Sequence, residues 1–128
     1  MTTTDPTIEQ ALSQGGVVDI TTTGRKSGQP HRIEIFFFDL GGRKIISGMP
    51  GKRGWYANLT ADPRFTLHLK RGLTADLAAR ARLITDEDDR RTLLTTITRK
   101  WDQEARLEVF VADSPVIEFE IVEPSPST

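Results

Sequence analysis

The segment Gly24-Arg25-Lys26-Ser27-Gly28, followed closely by His31-Arg32, puts two glycines, a hydroxyl and fixed positive charge on one short corner of the chain. Three threonines, Thr21 to Thr23, lead into it, and the strand-forming run Ile33 to Phe38 leads away. A strand-turn-strand corner with free backbone amides and cations is a receptacle for phosphate or another anion. Arginine grips such a group with two parallel hydrogen bonds, and Lys26 adds a compact point charge. A solvated hairpin turn is the competing reading, since Gly-Gln-Pro by itself marks only a turn. A second basic, glycine-rich loop runs from Gly48 through Met49, Lys52 and Arg53 to Gly54. If the strands that deliver the two loops are neighbours, their cations converge on one mouth suited to a ligand with several negative charges. Otherwise they are independent solvated loops.

Few other residues have the chemistry for a site. Trp55-Tyr56-Ala57-Asn58-Leu59 follows the second loop at once. Trp55 and Leu59 stand one helical turn apart and anchor that helix in the core, leaving Tyr56 and Asn58 free to bond a ligand or the loop. His31 sits in the basic corner. Strict alternation places His68 on the face opposite Leu67 and Leu69, where solvent exposure is expected. Neither histidine has a serine and a carboxylate at a recognisable spacing, which argues against a hydrolytic triad. The acids Asp86 to Asp89 diverge around a helix and most simply charge its start, so no metal site is expected there. The absence of cysteine excludes disulfides, thiolate metal sites and cysteine nucleophiles. With two histidines and no acidic cluster facing them, zinc is not expected either. No residue stands out as a nucleophile or an obligatory acid or base. Chemistry carried by a bound cofactor fits that pattern, with the protein supplying binding, orientation and electrostatics.

Composition narrows the class. The 128 residues suit one domain, and 37% hydrophobic with 27% charged residues describes a soluble globule rather than a disordered chain. A net charge of −1 argues against general nucleic-acid binding, which needs a broad cationic surface. The segment Met1 to Gln14 lacks the apolar core of a signal peptide, and no run approaches the roughly 20 apolar residues of a membrane span. The cytoplasm is the expected location, with peripheral membrane or lipid contact left open.

The elements that must position these residues follow from pattern. Asp5-Pro6 opens a short helix that Gly15-Gly16 ends. A strand spans Val17 to Thr23, and a second spans about Arg32 to Leu40. Its run Ile35-Phe36-Phe37-Phe38 predicts a central strand covered on both faces. Asp39 to Arg43 makes a hairpin into Lys44-Ser47. A helix from Trp55 to Ala61 ends at Asp62-Pro63. Arg64 to Lys70 alternates with Phe65, Leu67 and Leu69 on the core face, and another strand runs from about Thr74 to Leu83. Thr85 caps a helix with Leu93, Leu94, Ile97 and Trp101 on one side, and Val116 to Val122 is the last strand. The tail, Glu123 to Thr128, is expected to fray. Six strands joined by hairpins, with few helices, predict a small antiparallel barrel with helices at its ends.

The threonine-rich Gly24-Arg25-Lys26-Ser27-Gly28-Gln29-Pro30 corner, together with Trp55-Tyr56-Ala57-Asn58-Leu59 and Ala61-Asp62-Pro63-Arg64-Phe65-Thr66, resembles the deazaflavin-dependent nitroreductase family. That family uses coenzyme F420 and adopts the split β-barrel shared with flavin-binding pyridoxamine phosphate oxidases. The similarity runs from about Val17 to Leu83. It implies a mainly β, six-stranded split barrel and hydride delivery from the reduced deazaflavin to a quinone-like, nitro or unsaturated acceptor. Arg25, Lys26 and Arg32 would hold the cofactor's phosphate and acidic tail, with Lys52 and Arg53 as second choices and Ser27 and His31 in the same corner. Ile35 and Phe36, on the strand from Ile33, and Met49, in the second loop, would flank the ring system. Trp55 and Asn58 would support that loop and the pocket. The chain departs from the pattern at His31, where many members have arginine, at Ile33-Glu34, and in a shortened second loop. These departures resemble a branch linked to fatty-acid or membrane substrates. The rival functions are therefore a carrier of a fatty acid or other apolar ligand, and a relative that binds FMN or haem, FMN being the second choice of cofactor. Monomer and homodimer are both compatible with the sequence.

Overall fold

The computed structural model describes residues 6–122, so the capping role expected of Asp5 and the behaviour of the tail from Glu123 lie outside the described residues. In chain order the elements are α1 (Pro6–Gln14), β1 (Gly16–Thr23), β2 (Pro30–Leu40), β3 (Arg43–Ser47), α2 (Gly54–Ala61), β4 (Arg64–Leu69), β5 (Ala75–Leu83), α3 (Glu87–Lys100), a 3-10 turn (Glu104–Arg106), α4 (Leu107–Asp113) and β6 (Val116–Ile121). The strands close into one antiparallel barrel in the order β1-β2-β3-β6-β5-β4. Closure leaves no unpaired edge, and alternation then separates an interior face from an exterior one on every strand.

The interior is filled by Val18 and Ile20 of β1, Phe37 of β2, Ile46 of β3, Phe65, Leu67 and Leu69 of β4, Ala79 and Ala81 of β5, and Ile117 and Phe119 of β6. Ile20, Ile46, Leu67 and Ile117 have no solvent contact, and each contributes about 1.5–3 kcal/mol by burial. A second apolar layer lies outside the barrel. There Phe38 and Ile45 pack under Leu93, Leu94 and Ile97 of α3 and Phe110 and Val111 of α4. The aromatic run of β2 is thus divided. Phe37 points into the barrel, Phe38 points under the helices, and Phe36 remains 43% exposed, so β2 is not covered on both faces along its length.

Two local expectations need correction. The cap of α3 is Asp86 rather than Thr85, and its carboxylate accepts the Asp89 amide. The helix α4 was not expected, although Leu107, Phe110 and Val111 carry its spacing. The chain reaches it by a left-handed residue, Asp102 at φ 57°, which lets the Gln103 amide close back on the Thr98 carbonyl at 2.7 Å. Outside the barrel, Arg43 forks between Asp89 (2.9 Å) and Glu118 (2.9 Å), pinning α3 to β3 and β6. The guanidinium holds both carboxyls below the usual carboxylate range.

Candidate functional site

The turn between β1 and β2 is closed by the Gly24 amide on the Gln29 carbonyl and the Gly28 amide on the Gly24 carbonyl, both 2.8 Å. Gly28 has φ 71°, a conformation that favours glycine, and Ser27 Oγ accepts the Gln29 amide. Gly24 is needed for closeness: a Cβ there would lie 2.6 Å from His31 Nε2 and 2.7 Å from Ser27 Oγ. The turn is locked to α2 by one side chain. Asn58 Oδ1 accepts from the Arg25 amide (3.2 Å) and from Arg25 Nη1 (3.0 Å), and its Nδ2 donates to Thr22 Oγ1 (3.0 Å). Asn58 is buried, and both its amide oxygen and its amide nitrogen are engaged in fixing the corner.

Between this turn and α2 opens a cleft of about 400 Å³, lined by Arg25, Lys26, Ser27, His31, Trp55 and Asn58, with Thr22, Gly24, Ile33 and Gly54 completing its walls. A second cleft, of about 690 Å³, opens on the other side of the 48–54 loop. Pro50, Gly51, Lys52 and Tyr56 face Ala112 to Pro115 across it, with Thr85 and Arg90 at its base. The loop is therefore the wall common to both clefts. It is tied down by the Gly51 amide on the Asp113 carbonyl (3.0 Å) and by Ser47 Oγ donating to the Pro115 carbonyl (2.8 Å).

Charge pairing sorts the cations into two groups. Arg32, Arg43, Lys44, Arg64, Lys70, Arg82, Arg91 and Arg99 each reach a carboxylate. Among the described residues Arg25, Lys26, Lys52 and Arg53 do not, and these four lie beside the 48–54 loop or the β1–β2 turn; Arg71, Arg80, Lys100 and Arg106 are likewise without a carboxylate partner but are scattered elsewhere on the surface, and Arg90 is engaged by carbonyls. Arg53 instead curls back, Nη1 on the Lys52 carbonyl at 2.9 Å. A cluster of cations without acids is a site for an anion supplied from outside.

Not every expected residue reaches the mouth. Arg32 lies on the barrel exterior with Nε on Asp19 Oδ2 at 2.9 Å, and Asp19 also holds Lys70, which reaches Glu34. Lys70 and Arg32 keep the Asp19 carboxyl below its ordinary range. Strand alternation explains the division: Thr22 pairs with His31 on the cleft side, while Thr21 pairs with Arg32 on the other. Ile35 packs in the barrel interior, and Phe36 stacks edge-on against Phe38, 4.9 Å between ring centres, away from both clefts. Met49 is 42% exposed on the loop. The residues lining the larger cleft from α3 and α4, Arg90 and Ala112 to Pro115, were not singled out in the sequence. Ala112 and Asp113 end the unexpected helix, Ser114 and Pro115 follow it, and Arg90 stands on α3, a helix expected from its apolar face alone.

His68 also departs from expectation, being 7% exposed rather than solvated. It occupies the exterior face, as alternation requires, but Nε2 meets Thr21 Oγ1 and Nδ1 meets Asp76 Oδ1, each at 2.7 Å. Neighbouring strands place a hydroxyl and a carboxylate on either side of the ring and bury it between them. It lines neither cleft beside α2.

Residues 1–111 match the model of the F420H(2)-dependent quinone reductase family. The chain belongs to that family. Membership makes it an oxidoreductase that uses coenzyme F420. The barrel agrees with solved structures. A candidate pyridoxamine 5'-phosphate oxidase from Listeria innocua superposes with a TM-score of 0.65 at 16% identity, covering 91% of this chain and 88% of that one. The haem storage protein HutZ from Vibrio cholerae gives 0.67 at 10% identity, covering 94% and 91%. An F420-H2 dependent reductase, FDR-A, gives 0.61 at 21% identity, covering 82% and 94%. At these identities the likeness is one of fold, the split β-barrel, as expected from the sequence. No helix among the described residues is long and apolar enough to cross a membrane.

Proposed function

We propose that this member of the family transfers a hydride from reduced F420 to a quinone-type small molecule across the two clefts that share the 48–54 loop. The observation that carries the reading is their contrast. The smaller cleft is edged by Arg25 and Lys26, cations without carboxylate partners among the described residues, whereas the larger sets Asp113 beside Lys52 and Arg90 amid Pro50, Tyr56, Ala112 and Pro115.

The donor set suits a cofactor that is anionic at one end. Arg25 and Lys26 would take its phosphate and acidic tail, with Ser27 and His31 beside them. Arg32 is committed to Asp19, Lys52 lines the larger cleft and Arg53 lines neither, so the role rests on Arg25 and Lys26. When bound, the deazaflavin supplies a hydride to an electron-poor acceptor. The chain's own part is to orient and to exclude water: Trp55 and Ile33 wall the smaller cleft, Asn58 holds Arg25 in place, and the loop keeps the two chambers in register. The larger cleft takes the acceptor. Pro50, Tyr56, Ala112 and Pro115 give it apolar surface for a ring, and its volume lies in the range of small-molecule pockets.

Fluorescence titration with F420 tests the cofactor, and anaerobic oxidation of F420H2 by a soluble naphthoquinone tests the acceptor. Saturable binding below about 10 μM, roughly −7 kcal/mol, is expected, with turnover dependent on the quinone. No binding up to high micromolar, or binding without quinone-dependent oxidation, would overturn the reading.

A further inference from the structure

We propose that Arg90 is a positioning residue for the acceptor side of the reaction, bracing the end of α4 and, through it, the 48–54 loop. The inference rests on the assignment of the larger cleft to the acceptor. Arg90 lies in the first half of α3, and its half-buried side chain reaches the base of that cleft. Its guanidinium is spent entirely on backbone carbonyls. Nε donates to Val111 O (2.9 Å), Nη1 to Ile84 O (2.9 Å), and Nη2 to Ser114 O (2.7 Å), with Phe110 O at 3.4 Å.

Three of those carbonyls belong to the last turn of α4 and the residue after it, where a helix leaves acceptors without internal partners. The fourth, Ile84, directly follows β5, and the Ile84 amide in turn bonds the Val116 carbonyl at the start of β6. One planar fork therefore holds together α3, α4, β5 and the approach to β6. Its neighbour Asp89 pairs with Arg43, so no carboxylate competes for the Arg90 fork among the described residues.

The braced segment is the one that holds the loop. Asp113 O takes the Gly51 amide, and Pro115 O takes Ser47 Oγ. Gly51 has φ 126°, available without strain only to glycine, so the loop conformation is narrow and depends on where Asp113 sits. Asn58 fixes the opposite, cofactor side of the mouth through Arg25. The two sides thus have separate supports, and loss of Arg90 must disturb the larger cleft before the smaller. Lysine cannot replace it, because a single ammonium lacks the fork geometry.

The test compares the parent with Arg90→Met and Arg90→Lys by F420 titration, steady-state kinetics with a soluble naphthoquinone, and amide hydrogen exchange. Arg90→Met is expected to raise KM for the quinone about fivefold or more while the F420 Kd stays within about twofold. Exchange at the Gly51 and Lys52 amides should accelerate, and Arg90→Lys should not rescue either effect. An unchanged quinone KM in a folded variant, or equal losses at both ligands, would overturn the proposal. If Arg90→Met does not fold, Arg90→Lys decides, since its single ammonium keeps part of the anchorage and loses the fork. A raised quinone KM with F420 affinity retained supports the proposal, and an unchanged one rejects it. A parent that binds no F420 defeats the functional reading instead, and unchanged exchange at the Gly51 amide in Arg90→Met would then still refute the brace.

Discussion

Replacing Asn58 by alanine should cost both stability and cofactor affinity, and the structure gives the size of each. The substitution removes the Oδ1 acceptor of the Arg25 amide and of Arg25 Nη1, and the Nδ2 donor to Thr22 Oγ1. Thr22 is 2% exposed, so its hydroxyl has no water to replace the lost partner. A buried polar group left unpaired costs about 1–3 kcal/mol. Arg25 Nη1 and the part-buried Arg25 amide can find water, so the unpaired-group penalty falls on Thr22, and with about 1 kcal/mol for the lost amide bond the total is about 2–4 kcal/mol. A chain of 128 residues loses about 1 °C of melting temperature per ~0.27 kcal/mol, so Tm should fall by about 7–15 °C. Freed from Asn58, Arg25 must order itself on each binding event, and the F420 Kd should rise about tenfold, or ~1.4 kcal/mol. Asn58→Asp separates the two effects. Its carboxylate still accepts from Arg25 and from the Thr22 hydroxyl, so Tm should change little, but it neutralises the cation that the cofactor needs and affinity should fall further than in Asn58→Ala. Differential scanning calorimetry and fluorescence titration read both quantities. Unchanged Tm and Kd in Asn58→Ala would refute the reasoning, and so would Asn58→Asp binding F420 as tightly as the parent.

Lys26 has no carboxylate partner in the fold, so Lys26→Ala should leave Tm within about 1 °C while weakening F420 binding about fivefold, a loss that shrinks as salt is raised; a large Tm change would show that the side chain is structural. The Arg43 network makes a pH prediction. Asp89 and Glu118 are held below their unfolded values by Arg43, so their contribution is fully present above the unfolded carboxylate range near pH 4 and is lost as pH falls through the lower folded values. Tm should be flat from about pH 7 to 5 and fall below about pH 4, whereas Arg43→Met should lose about 1–2 kcal/mol at neutral pH and show a shallower acid slope. Equal acid slopes in the two proteins would reject the assignment.

Local chemistry made much of the fold legible. The alternation of Phe65, Leu67 and Leu69, the threonine-rich β1, the turn glycines and the Asp62-Pro63 stop each act within a few residues, so the sequence alone determined six strands, the helix at Trp55 and an antiparallel barrel. It also determined the inventory of the site, two cationic glycine loops and an asparagine one turn from a tryptophan. What it could not determine was which of those residues meet. Arg32 and His31 are adjacent in the chain, yet alternation about the observed register puts one on Asp19 outside the barrel and the other in the cleft. His68 reads as an exposed position until barrel closure brings Thr21 and Asp76 to its two nitrogens. The larger cleft depends on α4 and on Arg90 finding three of its four carbonyls, those of Phe110, Val111 and Ser114, far along the chain. These features are set by closure and packing, in which a side chain's environment comes from strands and helices far along the chain, and only the tertiary structure decides them.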